Sequence, residues 1–129
     1  MKVLTIREPW ASLIIEGYKE YEFRSWKTNY RGKILIHAGL NIEKNNLVKF
    51  KDYDINIQKG KIIGEAMLTD CIKVTEDFQK ELLKKDKIVY GQSDHAIDYA
   101  WKLENVIKYE EPISVKGKLG LWNYEFDKN

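Results

Sequence analysis

The stretch Gly17-Tyr18-Lys19-Glu20-Tyr21-Glu22-Phe23-Arg24 alternates charged side chains with aromatic rings. It follows an apolar run, Trp10 to Glu16, and leads into Ser25-Trp26-Lys27-Thr28-Asn29-Tyr30-Arg31-Gly32. In an extended segment, side chains two apart share a face, so Glu22 and Arg24 are expected together with Phe23 opposite, toward the core. Lys19 falls in the bend before that strand and can curl toward the same side. Cations beside rings can line a cleft that holds a base or nucleoside, by stacking and hydrogen bonding. The same pattern also suits a solvated edge strand whose charges face water. On these residues alone both readings stay open.

Upstream, Lys2 to Ile6 alternates weakly and predicts a first strand. Pro9 suits the first turn of a helix, where its missing N–H costs nothing. Trp10, Leu13 and Ile14 recur at helical spacing, with Trp10 read as core, and Gly17 supplies a left-handed stop. Arg7 and Glu8 sit at the strand-to-helix junction, a position from which a rigid scaffold presents side chains accurately.

Downstream, Asn29-Tyr30-Arg31-Gly32 predicts a turn and Lys33 to Ala38 a strand. Ile34, Ile36 and Ala38 share one face of it, and His37 lies opposite with Leu35. Such a histidine is either a hydrogen-bonded structural residue or a base. Leu40 to Gln58 reads as a short irregular helix and a loop, suited to a lid or insertion. Lys61 to Val74 is the longest strand candidate, and simple alternation puts Glu65 between Ile63 and Met67 on an otherwise apolar face. A carboxylate there is costly to bury unless paired or protonated. It is therefore either a proton-transfer group or one half of a structural salt bridge to Arg24 or Lys19.

Thr75 can cap a helix through Phe78, Glu81 and Leu82. Lys84 to Ser93 reads as a loop with turns at Lys85-Asp86 and Gly91-Gln92. From Ile97 alternation returns, with Ile97, Tyr99, Trp101 and Leu103 on one side. Pro112 breaks the next stretch, and Gly117 and Gly120 flank a bend before Leu121-Trp122-Asn123-Tyr124. Several short strands with few helices predict an α+β, mostly β fold: a small curved barrel flanked by short helices.

The 129 residues suit one domain spanning 1–129, and 43% apolar residues support a packed core. A net charge of +2 gives no overall basic field, although Lys19, Arg24, Lys27 and Arg31 make a local one. Lys80, Lys84, Lys85 and Lys87 read as a solvated helix face. The single cysteine, Cys71, excludes an intrachain disulfide, and with two histidines no zinc spacing exists. No metal and no cofactor are expected. Without a signal peptide or a membrane-spanning apolar run, a cytoplasmic protein is expected.

The pattern Gly17-x-Lys19-x-x-Glu22-x-Arg24 resembles the signature of the ASCH family, small domains similar to the RNA-binding PUA barrels. Pro9-Trp10-Ala11, the Asn29-to-Gly32 turn and the Ile34-to-His37 strand resemble that family too. So do Trp101-x-Leu103-Glu104-Asn105, Glu111-Pro112-Ile113 and Gly117-x-x-Gly120-Leu121-Trp122. The resemblance implies a PUA-like barrel with a charged cleft for RNA or a modified nucleoside. It also implies, for some members, metal-independent amidohydrolase activity on N-acylated cytidine, or ribonuclease activity. In the amidohydrolase branch a threonine stands third after the lysine; here Glu22 takes that place and removes the hydroxyl.

The site expected on these grounds has Lys19, Glu22 and Glu65 as catalytic candidates. Arg7, Lys19, Arg24, Ser25, Trp26, His37 and Trp122 are the ligand-binding ones. In a hydrolase, Glu65 would be the general base and Lys19 the oxyanion partner, with Glu22 and Arg24 orienting the substrate. In a ribonuclease, Lys19 and Arg24 would clamp phosphate and Glu22 or His37 would be the base. In a binding module the same cations would hold RNA while Trp26, Tyr30, Trp101 or Trp122 stacks on a base. A protein-interaction module of the coregulator type is the third class. An RNA or nucleoside ligand is expected, with enzyme status open.

Overall fold

The structure, a computed structural model, describes residues 1–91 and 98–126. Gln92, Ser93 and Ile97, read above as a turn and a strand start, lie outside those residues. β1 (Lys2–Glu8) leads into α1 (Trp10–Ile15), followed by β2 (Tyr21–Arg24) and β3 (Gly32–Ile42). Then come α2 (Lys44–Leu47), a 3-10 turn (Val48–Phe50) and β4 (Lys61–Lys73). α3 (Glu76–Lys85), α4 (Lys87–Tyr90), β5 (Tyr99–Ser114) and β6 (Leu121–Asn123) complete the chain.

The strands form one sheet in the order β2-β5-β4-β3-β1-β6. β1 and β3 pair in parallel and the other neighbours are antiparallel. The α+β class is as expected, but the sheet does not close into a barrel. Among the described residues no ladder joins its outer strands, β2 and β6.

Local rules account for several boundaries. α1 ends in a Schellman motif: Tyr18 N–H reaches Leu13 O at 2.9 Å and Gly17 N–H reaches Ile14 O at 3.1 Å. This motif needs a left-handed residue, and Gly17 supplies it with φ +87°. Thr75 caps α3 by accepting the Phe78 N–H at 3.2 Å. The loop expected from Lys84 is instead helical, because Asp86 caps α4 through the N–H groups of Ile88 and Val89. Pro112 does not break β5. Among the described residues β2 reaches only as far as Lys102 on that strand, so the Pro112 end has an edge without a ladder, where a missing N–H is harmless.

Packing is on both sides of the sheet. One face buries Leu4, Ile6, Ile34, Ile36, Ala66, Leu68, Trp101 and Leu103 under α1. A second cluster joins Leu13, Tyr21, Phe50, Leu82, Val89, Tyr90 and Ala100, so Ala100 is buried although alternation placed it opposite the apolar set. A third holds Val3, Leu35, Ile62 and Trp122. Each fully buried Leu or Ile contributes about 1.5–3 kcal/mol of transfer free energy.

A bulge resets the alternation of β4. His37 pairs with Ile62 and Ile36 with Gly64, leaving Ile63 as the extra residue. Ile63 therefore turns into the core, while Glu65, opposite Leu35, leaves by the other face. The face shared by Ile63, Glu65 and Met67 in a simple alternation does not exist.

Glu8, at the end of β1, is fully buried. Its carboxylate accepts the Ser12 N–H at 2.8 Å, the Ser12 hydroxyl at 2.6 Å and the Gln58 N–H at 2.8 Å. Burial pushes its pKa above the usual carboxylate value, and those hydrogen bonds pull against the rise. The group ties the 51–60 connection to the start of α1. Its sequence position gave no sign of burial.

Candidate functional site

Where a barrel would close, the sheet leaves a cleft of about 590 Å³. Lys19, Glu22, Phe23, Arg24, Ser25 and Trp26 line it together with Thr5, Arg7 and Trp10. The end of β3 and the loop before β6 complete the rim with Leu40, Asn41, Glu43, Lys118 and Leu119.

The floor is a chain of charges. Lys19 enters it because the Schellman motif ends α1 and turns the backbone, with Lys19 N–H also bonded to Leu13 O at 3.2 Å. Its side chain is buried (residue exposure 4%), and its ammonium meets Glu22 Oε1 at 3.3 Å and the backbone oxygen of Tyr21. Phe23 and Trp10 stand 4.7 and 5.7 Å from that ammonium, measured to ring centroids. Glu22 Oε2 accepts from Arg24 Nε at 3.2 Å and Nη2 at 2.9 Å, a fork-shaped ion pair. The strand spacing that put Glu22 and Arg24 on one face thus brings them into contact.

Burial lowers the pKa of Lys19, Glu22 raises it by attraction and hydrogen bonding, and the positive charge of Arg24 lowers it. The net direction is down. The floor is a sheltered amine with a carboxylate beside it, in surroundings that strengthen every interaction with a polar guest.

Glu43 ties together another part of the lining. It accepts from Trp10 Nε1 at 2.7 Å and Asn46 Nδ2 at 3.0 Å, and pairs with Arg7 Nη1 at 3.4 Å. Trp10, read from sequence as core, packs against the first two clusters, edge-on to Phe50, and also lines the cleft. Trp26 is 38% exposed and stands edge-on to buried Trp101, whose Nε1 donates to the Trp26 backbone oxygen at 3.3 Å. Sequence reasoning missed Glu43, whose only cue was its place beside a strand end. It also missed Leu40, Lys118 and Leu119.

Arg7, Lys19, Glu22, Arg24, Ser25 and Trp26 are brought together here. Glu65 is not. Its carboxylate accepts from Tyr109 at 2.9 Å and pairs with Lys33 at 3.2 Å, and it does not line the cleft. The salt bridge expected with Arg24 or Lys19 is made by Lys33, because the β4 bulge sends Glu65 to the other face.

His37 and Trp122 also stand outside the cleft lining, both buried. His37 Nε2 donates to Val115 O at 2.7 Å, and in the neutral ring Nδ1 accepts from Thr5 Oγ1 at 3.2 Å. Thr5 Oγ1 in turn accepts from Trp122 Nε1 at 3.0 Å. This places His37 and Trp122 in a closed relay that fastens β1, β3, β6 and the loop before β6. Among the described residues no group of three or more His, Cys, Asp or Glu side chains could hold a metal ion, and no helix is long and apolar enough to cross a membrane.

The chain is 26% identical to human activating signal cointegrator 1 over 136 aligned positions, covering 95% of this chain. The mouse protein of that name is 27% identical over an equal length. The chain spans only 22% of the length of either relative. Non-toxic nonhemagglutinin type A of Clostridium botulinum (strain Kyoto / Type A2) is 32% identical over 91 positions, covering 64% of this chain and 8% of that protein. In fold, the crystal structure of ASCH from Zymomonas mobilis superimposes with a TM-score of 0.56 at 17% identity, over 88% of this chain and 72% of that one. The ASCH domain model itself matches residues 4–113. This chain belongs to the ASCH domain family.

Proposed function

We propose that the cleft binds RNA or a nucleoside, with a base seated over Lys19, Glu22 and Arg24. The observation that carries this reading is the ion-paired trio of Lys19, Glu22 and Arg24 in a cleft that Trp10 and Trp26 also line. The ammonium of Lys19 has three N–H donors and two named acceptors, and Arg24 keeps its Nη1 donors beyond those spent on Glu22 and Thr5. Those donors suit the oxygen and ring-nitrogen acceptors of a base edge. An exposed indole adds a stack worth about 1–3 kcal/mol per base.

Titration of a labelled RNA 12-mer and of free nucleosides at fixed salt tests the reading. Wild type should bind, Lys19→Met and Arg24→Ala should bind at least about tenfold more weakly, and Arg24→Ala should flatten the salt slope. Equal binding by all three proteins would remove the cleft from the interaction.

A second reading, metal-independent hydrolysis of an N-acylated nucleoside or of RNA, is favoured by the sheltered Lys19 amine beside a carboxylate. In it Glu22, rather than the distant Glu65, takes the proton from water and Lys19 faces the developing oxyanion. Mass spectrometry of acylated nucleosides and RNA incubated with wild type and Glu22→Gln decides it. Turnover lost in the variant supports an enzyme, and no turnover in either leaves a binding module.

A further inference from the structure

The loop between β5 and β6 ends in Lys116-Gly117-Lys118-Leu119-Gly120, and its leucine is 98% exposed. A lone exposed apolar residue is ordinary on a protein surface. Three features set this one apart. It lines the cleft together with Lys118 and Gly120. Its loop is held on fixed posts: Val115 N–H bonds Gly60 O at 3.1 Å, and Val115 O accepts from His37 at 2.7 Å. Gly117 lies so close to the His37 ring and Thr5 Oγ1 that a Cβ would come within 2.8 Å of each. Gly120, at φ +65°, then turns the chain into β6.

The mouth has the same character elsewhere, since Leu40 is 73% exposed and Trp26 also stands at the rim. Exposed apolar side chains therefore stand among polar ones around the charged trio. Cations outnumber carboxylates in the lining, with Arg7, Lys19, Arg24 and Lys118 against Glu22 and Glu43. A polyanion whose apolar parts must leave water fits that combination, and a nucleic-acid strand has both properties.

We propose that Leu119 is a wedge for an RNA strand. When one base turns into the cleft, Leu119 enters the gap left between the neighbouring bases, and Lys118 and Arg7 meet the flanking phosphates. Turning a base out of a stack costs a few kcal/mol, and an apolar side chain in the vacated step offsets part of it. A post-anchored leucine is preorganised for this, because little backbone freedom is lost on binding. The inference rests on the base-binding reading of the cleft and adds to it that the ligand is a strand rather than a free nucleoside.

The test compares wild type, Leu119→Ala and Leu119→Met against a labelled RNA 12-mer and against the four ribonucleoside 5′-monophosphates, at one salt concentration. Leu119→Ala is expected to lose about tenfold in RNA affinity while mononucleotide affinity stays within about twofold, and Leu119→Met to recover most of the loss. Equal losses for RNA and mononucleotides would make Leu119 a lid over a free ligand and overturn the wedge. RNA affinity unchanged in Leu119→Ala, with wild type binding RNA, would also overturn it while leaving the cleft reading intact. Failure of wild type to bind either ligand would remove the cleft reading and the wedge with it.

Discussion

Arg24 donates through Nη2 to the backbone oxygen of Thr5 at 2.8 Å, and this bond joins β2 to β1 across the seam that no ladder closes among the described residues. Alternate carbonyls of a strand face the same neighbour. On β1, Met1 O accepts the Tyr124 N–H at 2.9 Å. Thr5 O, four residues on, lies past the end of β6 pairing at Leu121. The guanidinium supplies the donor that a longer β6 would have given. One residue thus clasps the sheet, holds Glu22 and lines the cleft.

Replacing Arg24 by lysine keeps the charge and loses the planar fork. Arg24→Lys is expected to cost about 1–2 kcal/mol of stability, and Arg24→Ala about 2–3 kcal/mol, since Glu22 and Thr5 O are then left short of donors. Urea denaturation midpoints at constant m-value check this. Equal stability of all three proteins would show that the clasp contributes nothing.

Lys19 makes stability depend on pH in a direction opposite to most surface lysines. Its folded pKa lies below 10.5, so in alkaline solution the unfolded chain binds the extra proton and stability rises with pH. The cost of holding the charge is fully present below the folded pKa and is relieved as pH climbs through it toward 10.5. The unfolding free energy of wild type minus that of Lys19→Met should therefore increase as pH climbs through the folded pKa toward 10.5. Tyr53, Tyr90 and Tyr109, raised to about 12, keep their protons after the unfolded chain loses them near 10.0. They lower the stability of both proteins above that pH and cancel in the difference.

Glu65→Gln separates cleft from scaffold. The residue holds Tyr109 and Lys33 on the far face of β4, so its loss is expected to cost about 1 kcal/mol and to leave ligand affinity within about twofold. A tenfold fall in affinity without a matching loss of stability would return Glu65 to the site.

Gly117→Ala probes the relay behind the cleft. Its new methyl group would stand 2.8 Å from His37 Cε1 and from Thr5 Oγ1, which forces the loop outward at about 1–3 kcal/mol. Thermal unfolding should show the loss, and the fluorescence of Trp122, which donates to Thr5 Oγ1, should shift. An unchanged melting temperature would mean that the loop moves freely.

The contacts legible in the sequence were short in sequence separation. Lys19, Glu22 and Arg24 meet because spacings of three and two across a bend and a strand fix their geometry locally. Gly17 as a left-handed stop and Thr75 as a cap follow from the same kind of rule. The helix after Asp86 was legible in principle, since an aspartate three residues before Val89 is a capping signal.

What stayed hidden depended on long-range pairing. One extra residue at Ile63 reverses which side chains of β4 face the core, and only the register against β3 reveals it. Glu43 reaches Trp10 from 33 residues away and Trp122 reaches Thr5 from 117 away. By itself the sequence determined the family, through its resemblance to the ASCH motif blocks, and the α+β class and the charged trio, because local backbone geometry follows from residue type and spacing. Only the tertiary structure decided that the sheet stays open at the β2–β6 seam, that Glu65 leaves the site and that Leu119 stands at its mouth. Those outcomes depend on which strand edges meet and which remain unpaired, and spacing along one chain carries no record of that.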